Sequence, residues 1–364
     1  MESVEKKNNV SVIILTKDKV EYLKQCINTL EKYHNMDNDE IIIISNNSVE
    51  EHTFVYFNEL KKKPNYRIIE YNLPFNYALL NNFGVKHATG KYLLFLNNDM
   101  EFILPNTINN LIDILNQENV GVVGATLLYP NNTIQHAGVN LHSKGAWQPY
   151  RYALLEELPH LRTNHQVSAV IGACLLIRRN DFERLQGFNE NLKVVLNDID
   201  LCLRMNKKGF KTICAKDTII HHEGISRGKE SPPSDVSTFI SIWEGLLYKG
   251  DPYDISLEIS QKHLKRNFEE FLIEKERPIY VFGTGEKGKT ALSLLEKWNI
   301  QGYIDNDRNK WKTKLDDYHV YSPRILEELS VKPYVVIASY YYNEIREQIE
   351  ALGYKNQKDF YRLF

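Results

Sequence analysis

Apolar and polar positions fall in blocks along the first hundred residues. The runs 10–15 (VSVIIL), 40–44 (EIIII), 66–71 (YRIIEY) and 91–96 (KYLLFL) are short and bounded by polar residues. That pattern predicts strands buried on both faces of a parallel sheet. Between them, Val20, Leu23, Ile27 and Leu30 recur at helical spacing, a second helix runs through Phe54 and Leu60, and a third over 77–87 stops near Thr89-Gly90. Repeated strand–helix alternation predicts right-handed crossovers. The predicted strand ends at 16–18, 45–48 and 97–99 are all polar, so they converge on the edge where open α/β sheets bind ligands. At the last of these, Asp99 follows Asn97 and Asn98. A carboxylate among carboxamides can hold a hard cation, or simply form an Asx turn.

The next stretch is less regular. A helix is expected over 107–116, a strand over 120–128, a turn at 129–132, then Gln135-His136-Ala137-Gly138 and a loop rich in Gly, Trp and Tyr over 142–152. One strand is expected over 167–177, a short helix over 181–185, a helix over 198–208 and a strand over 211–214, before IIHHEGISRG at 219–228. KESPPS (229–234) reads as a linker and 235–276 as helical, with Trp243, Leu246, Leu247 and Tyr248 expected to pack. From 277 a small α/β unit begins: a strand at 279–282, then GTGEKG, a helix, and a strand ending at Asp305, about the ribose-acid spacing of a dinucleotide fingerprint. The expected division is 1–230, 231–276 and 277–364.

Lys+Arg 45 against Asp+Glu 47 leaves a net charge of −2, so no global basic field points to nucleic acid. Cys26, Cys174, Cys202 and Cys214 are far apart with no CxxC, which favours buried, reduced thiols over a disulfide framework or zinc site. No apolar run is long enough to cross a bilayer. The expectation is a cytoplasmic protein, at most peripheral to the inner face of the plasma membrane.

The stretches SVIILT, FNYALLNNFGVKHATGKYLLFLNND, IQHAGV, VIGACLLIRR with FERLQGFNE, NDIDLCLR and HHEGISRG occur in one order between residues 10 and 228. In that order they resemble a family 2 glycosyltransferase of the GT-A fold, in the subgroup rich in rhamnosyltransferases of bacterial polysaccharide assembly. The resemblance implies an α/β fold with a mostly parallel central sheet, followed here by a small Rossmann-like α/β domain. It implies a nucleotide-diphosphate sugar donor of UDP or dTDP type, and a glycan acceptor, which may be lipid-linked. Asp99 would ligate Mn2+ or Mg2+ with His221, His222 being the alternative, and Asp198 would be the general base. Thr16, Asn46, Asn81, Asn98, Asp99, Gly172, Ala173 and Arg227 would line the donor site. The sequence departs from the family pattern at Asn97 in the DxD motif, at Ser45, where an acid commonly meets the base or ribose, and at Asn197 of the usual Glu-Asp pair. The QxxRW signature of processive synthases is absent, which argues for one sugar per encounter.

Two other readings compete. GTGEKG could serve a NAD-type oxidoreductase or epimerase, which would need a catalytic Tyr-x-x-x-Lys or equivalent near that motif; after it the spacing occurs only at Tyr354 and Lys358, far along the chain. Asn97 and Asn197 would suit a non-catalytic partner that kept the fold. The C-terminal unit is read as an accessory or oligomerisation domain.

Overall fold

A computed structural model describes residues 9–143, 145–222, 232–254, 277–295, 298–339, 341–356 and 358–363. The chain divides into two compact units, Met1–Asp254 and Ile255–Phe364.

The first unit opens with β1 (Val10–Thr16), α1 (Val20–Tyr33), β2 (Glu40–Ser45), α2 (Glu51–Leu60), β3 (Tyr66–Glu70), α3 (Tyr77–Val85) and β4 (Tyr92–Asn97). It continues through β5 (Met100–Phe102), α4 (Thr107–Leu115), β6 (Val120–Leu128), β7 (Ile134–His136), β8 (Asn140–His142), β9 (Gly145–Trp147) and β10 (His165–Val167). The remaining elements are β11 (Cys174–Arg178), α5 (Arg179–Arg184), α6 (Asn197–Lys207), β12 (Lys211–His221) and α7 (Pro233–Leu247).

The main sheet runs β10-β12-β6-β11-β4-β1-β2-β3, with β5 on β12 and β7 on β6. β1–β4 pair in parallel, whereas β11 runs antiparallel between β4 and β6. The unbroken apolar strands follow from burial on both faces. Val12, Ile14, Leu94 and Leu96 enter the core on one side, and Ile13, Leu93 and Phe95 the core on the other. Helix ends are held by side chains from elsewhere. Asp18, in the left-handed region at φ 50, accepts from the amides of Val49 and Glu50 ahead of α2. Asn76 caps α3 through Leu79 N–H at 3.0 Å.

Two expected strands change. The run 167–177 breaks into β10 and β11, since residues between them leave the sheet to line its carboxyl edge. The strand expected to stop at 214 instead continues to His221, across a register shift between Ala215 and Thr218. α7 packs as expected: Phe239, Trp243 and Leu247 are buried in the core shared with α6. Tyr248, however, is 75% exposed. No helix among the described residues is long and apolar enough to cross a membrane.

The second unit contains β13 (Ile279–Phe282), α8 (Glu286–Leu294), β14 (Ile300–Ile304), β15 (Lys314–Leu315), β16 (Tyr318–Tyr321), α9 (Ile325–Glu328), β17 (Tyr334–Ile337), α10 (Tyr342–Ala351) and β18 (Phe360–Arg362). Its sheet order is β15-β16-β14-β13-β17-β18, parallel except for β15. A Cβ at Gly288 would meet the backbone oxygen of Gly283, so α8 packs against the loop only with glycine there.

Trp243 is 2% exposed and fastens α7 to the first unit. Trp243→Ala should destabilise that unit by about 3–5 kcal/mol. Urea unfolding followed by circular dichroism would measure the shift.

Candidate active site

Where β4 ends, Asn97, Asn98 and Asp99 turn the chain into β5. The amide of Asn97 donates to Ala173 O at 2.9 Å, which ties the turn to the residue before β11. Asn98 Nδ2 donates to Thr16 Oγ1 at 3.1 Å and ties it to the end of β1. Asp99 is 7% exposed. β12 pairs antiparallel with β5, His221 opposite Met100, and this register brings His221 Nε2 to 3.0 Å from Asp99 Oδ1.

His221 Nδ1 lies 3.3 Å from Gln135 Oε1. A neutral ring that donates Nδ1–H to this oxygen carries its lone pair on Nε2, towards the carboxylate. Asn97 Nδ2 lies 3.3 Å from the same nitrogen, within donating distance of it in that tautomer. A cation between the two would be attracted to both the ring nitrogen and the carboxylate. Two donors about 2.1 Å from one octahedral hard cation stand about 3 Å apart, so the observed spacing fits a ligand pair. Gln135 would then be the outer partner that fixes the ring's tautomer. Among the described residues no group of three or more His, Cys, Asp or Glu could hold a metal. A cation here would therefore draw its other ligands from outside the chain.

His222 faces the other way, as alternation along a strand requires. Its Nε2 lies 2.7 Å from Glu101 Oε2, which also accepts from Gln25 Nε2 at 2.8 Å.

Asp198 opens α6 beside the 171–173 segment. Its Oδ2 accepts from Gly172 N–H at 2.7 Å and its Oδ1 from Ile199 N–H at 2.8 Å. Burial pushes this carboxyl above the usual carboxylate range, against the pull of those amides. The residue is nonetheless only half-buried, so a partner can reach it. Tyr77 OH donates to Gly172 O at 2.8 Å, and a Cβ on Gly172 would sit 2.5 Å from that hydroxyl. His136, pushed down to about 3 by burial, stays neutral; its Nε2 lies 3.5 Å from Ile171 N.

Asp200 does not cap the helix. It is 1% exposed and accepts from Trp243 Nε1 at 3.0 Å and Arg204 Nε at 2.8 Å, which locks α6 to α7. Asn46 and Asn81 are both buried. Asn46 Nδ2 bonds the carbonyls of Tyr71 and Leu73, and Asn81 Nδ2 bonds Tyr77 O. Their amides thus shape the loops around β2 and α3. Arg227 lies outside the described residues.

Glycosyl transferase family 2 matches residues 11–186. This is a family 2 glycosyltransferase domain. A second family, C2185-like, N-terminal, matches residues 275–360. The chain is 34% identical over 255 residues to the O-antigen biosynthesis protein RfbC of Myxococcus xanthus, covering 67% of this chain and 20% of that protein. It is 33% identical over 60 residues to the N-acetylglucosaminyl-diphospho-decaprenol L-rhamnosyltransferase of Mycobacterium tuberculosis, covering 16% of this chain and 20% of that one. The chain thus spans about a fifth of the length of these relatives. GalNAc-T7, solved with UDP, GalNAc and Mn2+, shares the fold at a TM-score of 0.55 and 16% identity, covering 72% of this chain and 52% of that one. The family 2 domain accordingly has the GT-A fold.

Within this domain, sequence reasoning missed Gln135, Asp18 and Tyr77. Gln135 stood inside a recognised stretch, IQHAGV, but only the return of β12 gives it a partner. Asp200→Asn removes the charge of a buried carboxylate that pairs with the partly exposed Arg204 and should cost about 1.5–3 kcal/mol. Nucleotide affinity should stay unchanged. Thermal melts alongside calorimetric titration separate the two effects.

Proposed function

We propose that the first unit is a metal-dependent, inverting, non-processive glycosyltransferase that moves a sugar from a nucleotide diphosphate to a hydroxyl of a glycan. The observation that carries this reading is the meeting, at one sheet edge, of the Asp99–His221 pair with Asp198. The mycobacterial relative, a rhamnosyltransferase named for a lipid-diphosphate acceptor, supports a lipid-linked glycan as acceptor, and with it work at the inner face of the plasma membrane.

Asp99 and His221 would hold the Mn2+ or Mg2+, which supplies charge stabilisation to the leaving diphosphate. Thr16 and Asn98 stand at the ends of β1 and β4, where the nucleotide of an open α/β sheet lies. Gly172 and Ala173 admit the donor sugar close to the backbone. Asp198 takes the proton of the acceptor hydroxyl as the new C1–oxygen bond forms. Its Oδ2, anchored by Gly172 N–H, is held beside the segment that would line the sugar, so base and reacting carbon would share one support. One base with no glycosyl-enzyme nucleophile fits a single displacement, which inverts the anomeric carbon.

Asp99→Ala should abolish the Mn2+-dependent part of nucleoside diphosphate binding and leave the melting temperature nearly unchanged. Wild-type binding and turnover that persist in EDTA would show the metal reading to be wrong.

Asp198→Asn should bind donor about as well as wild type and lose about 10²–10⁴-fold in transfer rate. Because the folded carboxyl favours its protonated form, the working carboxylate is lost as pH falls through a value above the ordinary carboxylate range. The acid limb of the wild-type rate profile should therefore lie above pH 4, and should vanish in the residual activity of Asp198→Asn.

A further inference from the structure

The loop rich in Gly, Trp and Tyr ends in a cluster that the proposed function leaves unused. Tyr129, directly after β6, stacks on Tyr152 with ring centres 5.2 Å apart and planes 9° from parallel. Arg151 lies over both rings, 5.8 Å from the Tyr129 centroid and 5.1 Å from that of Tyr152. Its Nε donates to Tyr129 OH at 2.8 Å. The two terminal nitrogens make no hydrogen bond or ion pair among the described residues. A planar fork held rigid on aromatic faces, half-buried and without a carboxylate, is suited to bidentate capture of an oxyanion.

The backbone beneath it is strained. Tyr152 sits at φ 71, in the left-handed region that aromatic residues rarely adopt. Such strain persists only where the surroundings enforce it. Here Tyr152 N–H donates to Ile134 O at 2.6 Å, and Ile134 N–H to Ala153 O at 2.7 Å. The turn is thereby bolted to β7, whose next residue, Gln135, bonds His221.

Topology places this cluster. Leu128 at the end of β6 is in parallel register with Ile220, so Tyr129 leaves the sheet on the edge that carries His221. β6 also neighbours β11, before which stands Gly172, bonded to Asp198. The nucleotide end of the proposed site, at β1 and β2, lies beyond β11 and β4 in the strand order. A ligand on Arg151 therefore approaches from the side opposite the nucleotide.

We propose that Arg151, mounted on the Tyr129–Tyr152 stack, is the anion-binding arm of the acceptor subsite and takes a phosphate or carboxylate carried by the acceptor. The assignment to the acceptor rests on the transferase reading above; the anion site itself does not.

Calorimetry on the full chain tests it in two steps. UDP with Mn2+ reports the donor site. Geranyl diphosphate and methyl α-D-glucuronide, with methyl α-D-glucoside as the uncharged control, then probe for an oxyanion held as phosphate or as carboxylate. At least one charged probe should bind wild type well above the control. Arg151→Gln should weaken that binding by about tenfold or more, equivalent to about 1.4 kcal/mol, with UDP affinity within about twofold. Arg151→Lys, which keeps the charge and loses the fork, should fall between them. The proposal is overturned if neither charged probe exceeds the glucoside, if Arg151→Gln binds the probe as wild type does, or if UDP affinity falls in parallel. A wild-type chain that binds neither UDP nor dTDP but binds a charged probe through Arg151 sinks the donor reading and leaves the anion site standing.

Discussion

The first unit depends on a carboxylate and an imidazole nitrogen held 3.0 Å apart, Asp99 and His221, both nearly out of water. Such a contact is unfavourable between two lone pairs and favourable once a cation or proton lies between them. The fold enforces it through the pairing of β12 with β5, and through Gln135, which fixes the other side of the ring. Water has little access to the contact, because His221 is 3% exposed. The spacing of the pair is therefore set by the strand pairing and not by solvent.

Around that pair, rigidity comes from contacts that perform no chemistry. α6 presents Asp198 from a helix whose inner face is bolted to α7 by the Asp200–Trp243 hydrogen bond. Asp235 at the start of α7 accepts from the amides of Val194 and Val195, which holds the chain just ahead of α6. The 171–173 segment is pinned by Tyr77, Asp198 and the amide of Asn97. The half-buried carboxylate of Asp198 is thereby held in place, because each of its neighbours is tied to a different element.

The second unit carries its own Gly-rich loop, yet the acid at the end of β14 is engaged. Asp305 accepts from the amide and hydroxyl of Thr284 and meets Lys310 Nζ at 3.2 Å. A ribose would have to displace both, so this loop gives little support to the oxidoreductase reading.

The strands of the first half, their parallel pairing and the convergence of their polar ends were legible in the sequence, because burial on both faces leaves an apolar run that only a central strand requires. The family resemblance singled out Asp99, His221 and Asp198, and the strand pairing brings the first two to 3.0 Å from each other. Other features depended on contacts between distant segments, and local pattern does not encode those. The run 167–177 is apolar but for Ser168, so nothing in its hydropathy marks where β11 begins; only the sheet edge decides that residues 171–173 leave it. Asp198 and Asp200 look alike as neighbouring acids at a helix start, and their separate fates follow from what each meets, Gly172 N–H or Trp243 and Arg204. Gln135 and Arg151 are ordinary polar residues in sequence. Tertiary structure gives them meaning by setting one against a buried imidazole and the other, with its charge unpaired among the described residues, on two stacked rings.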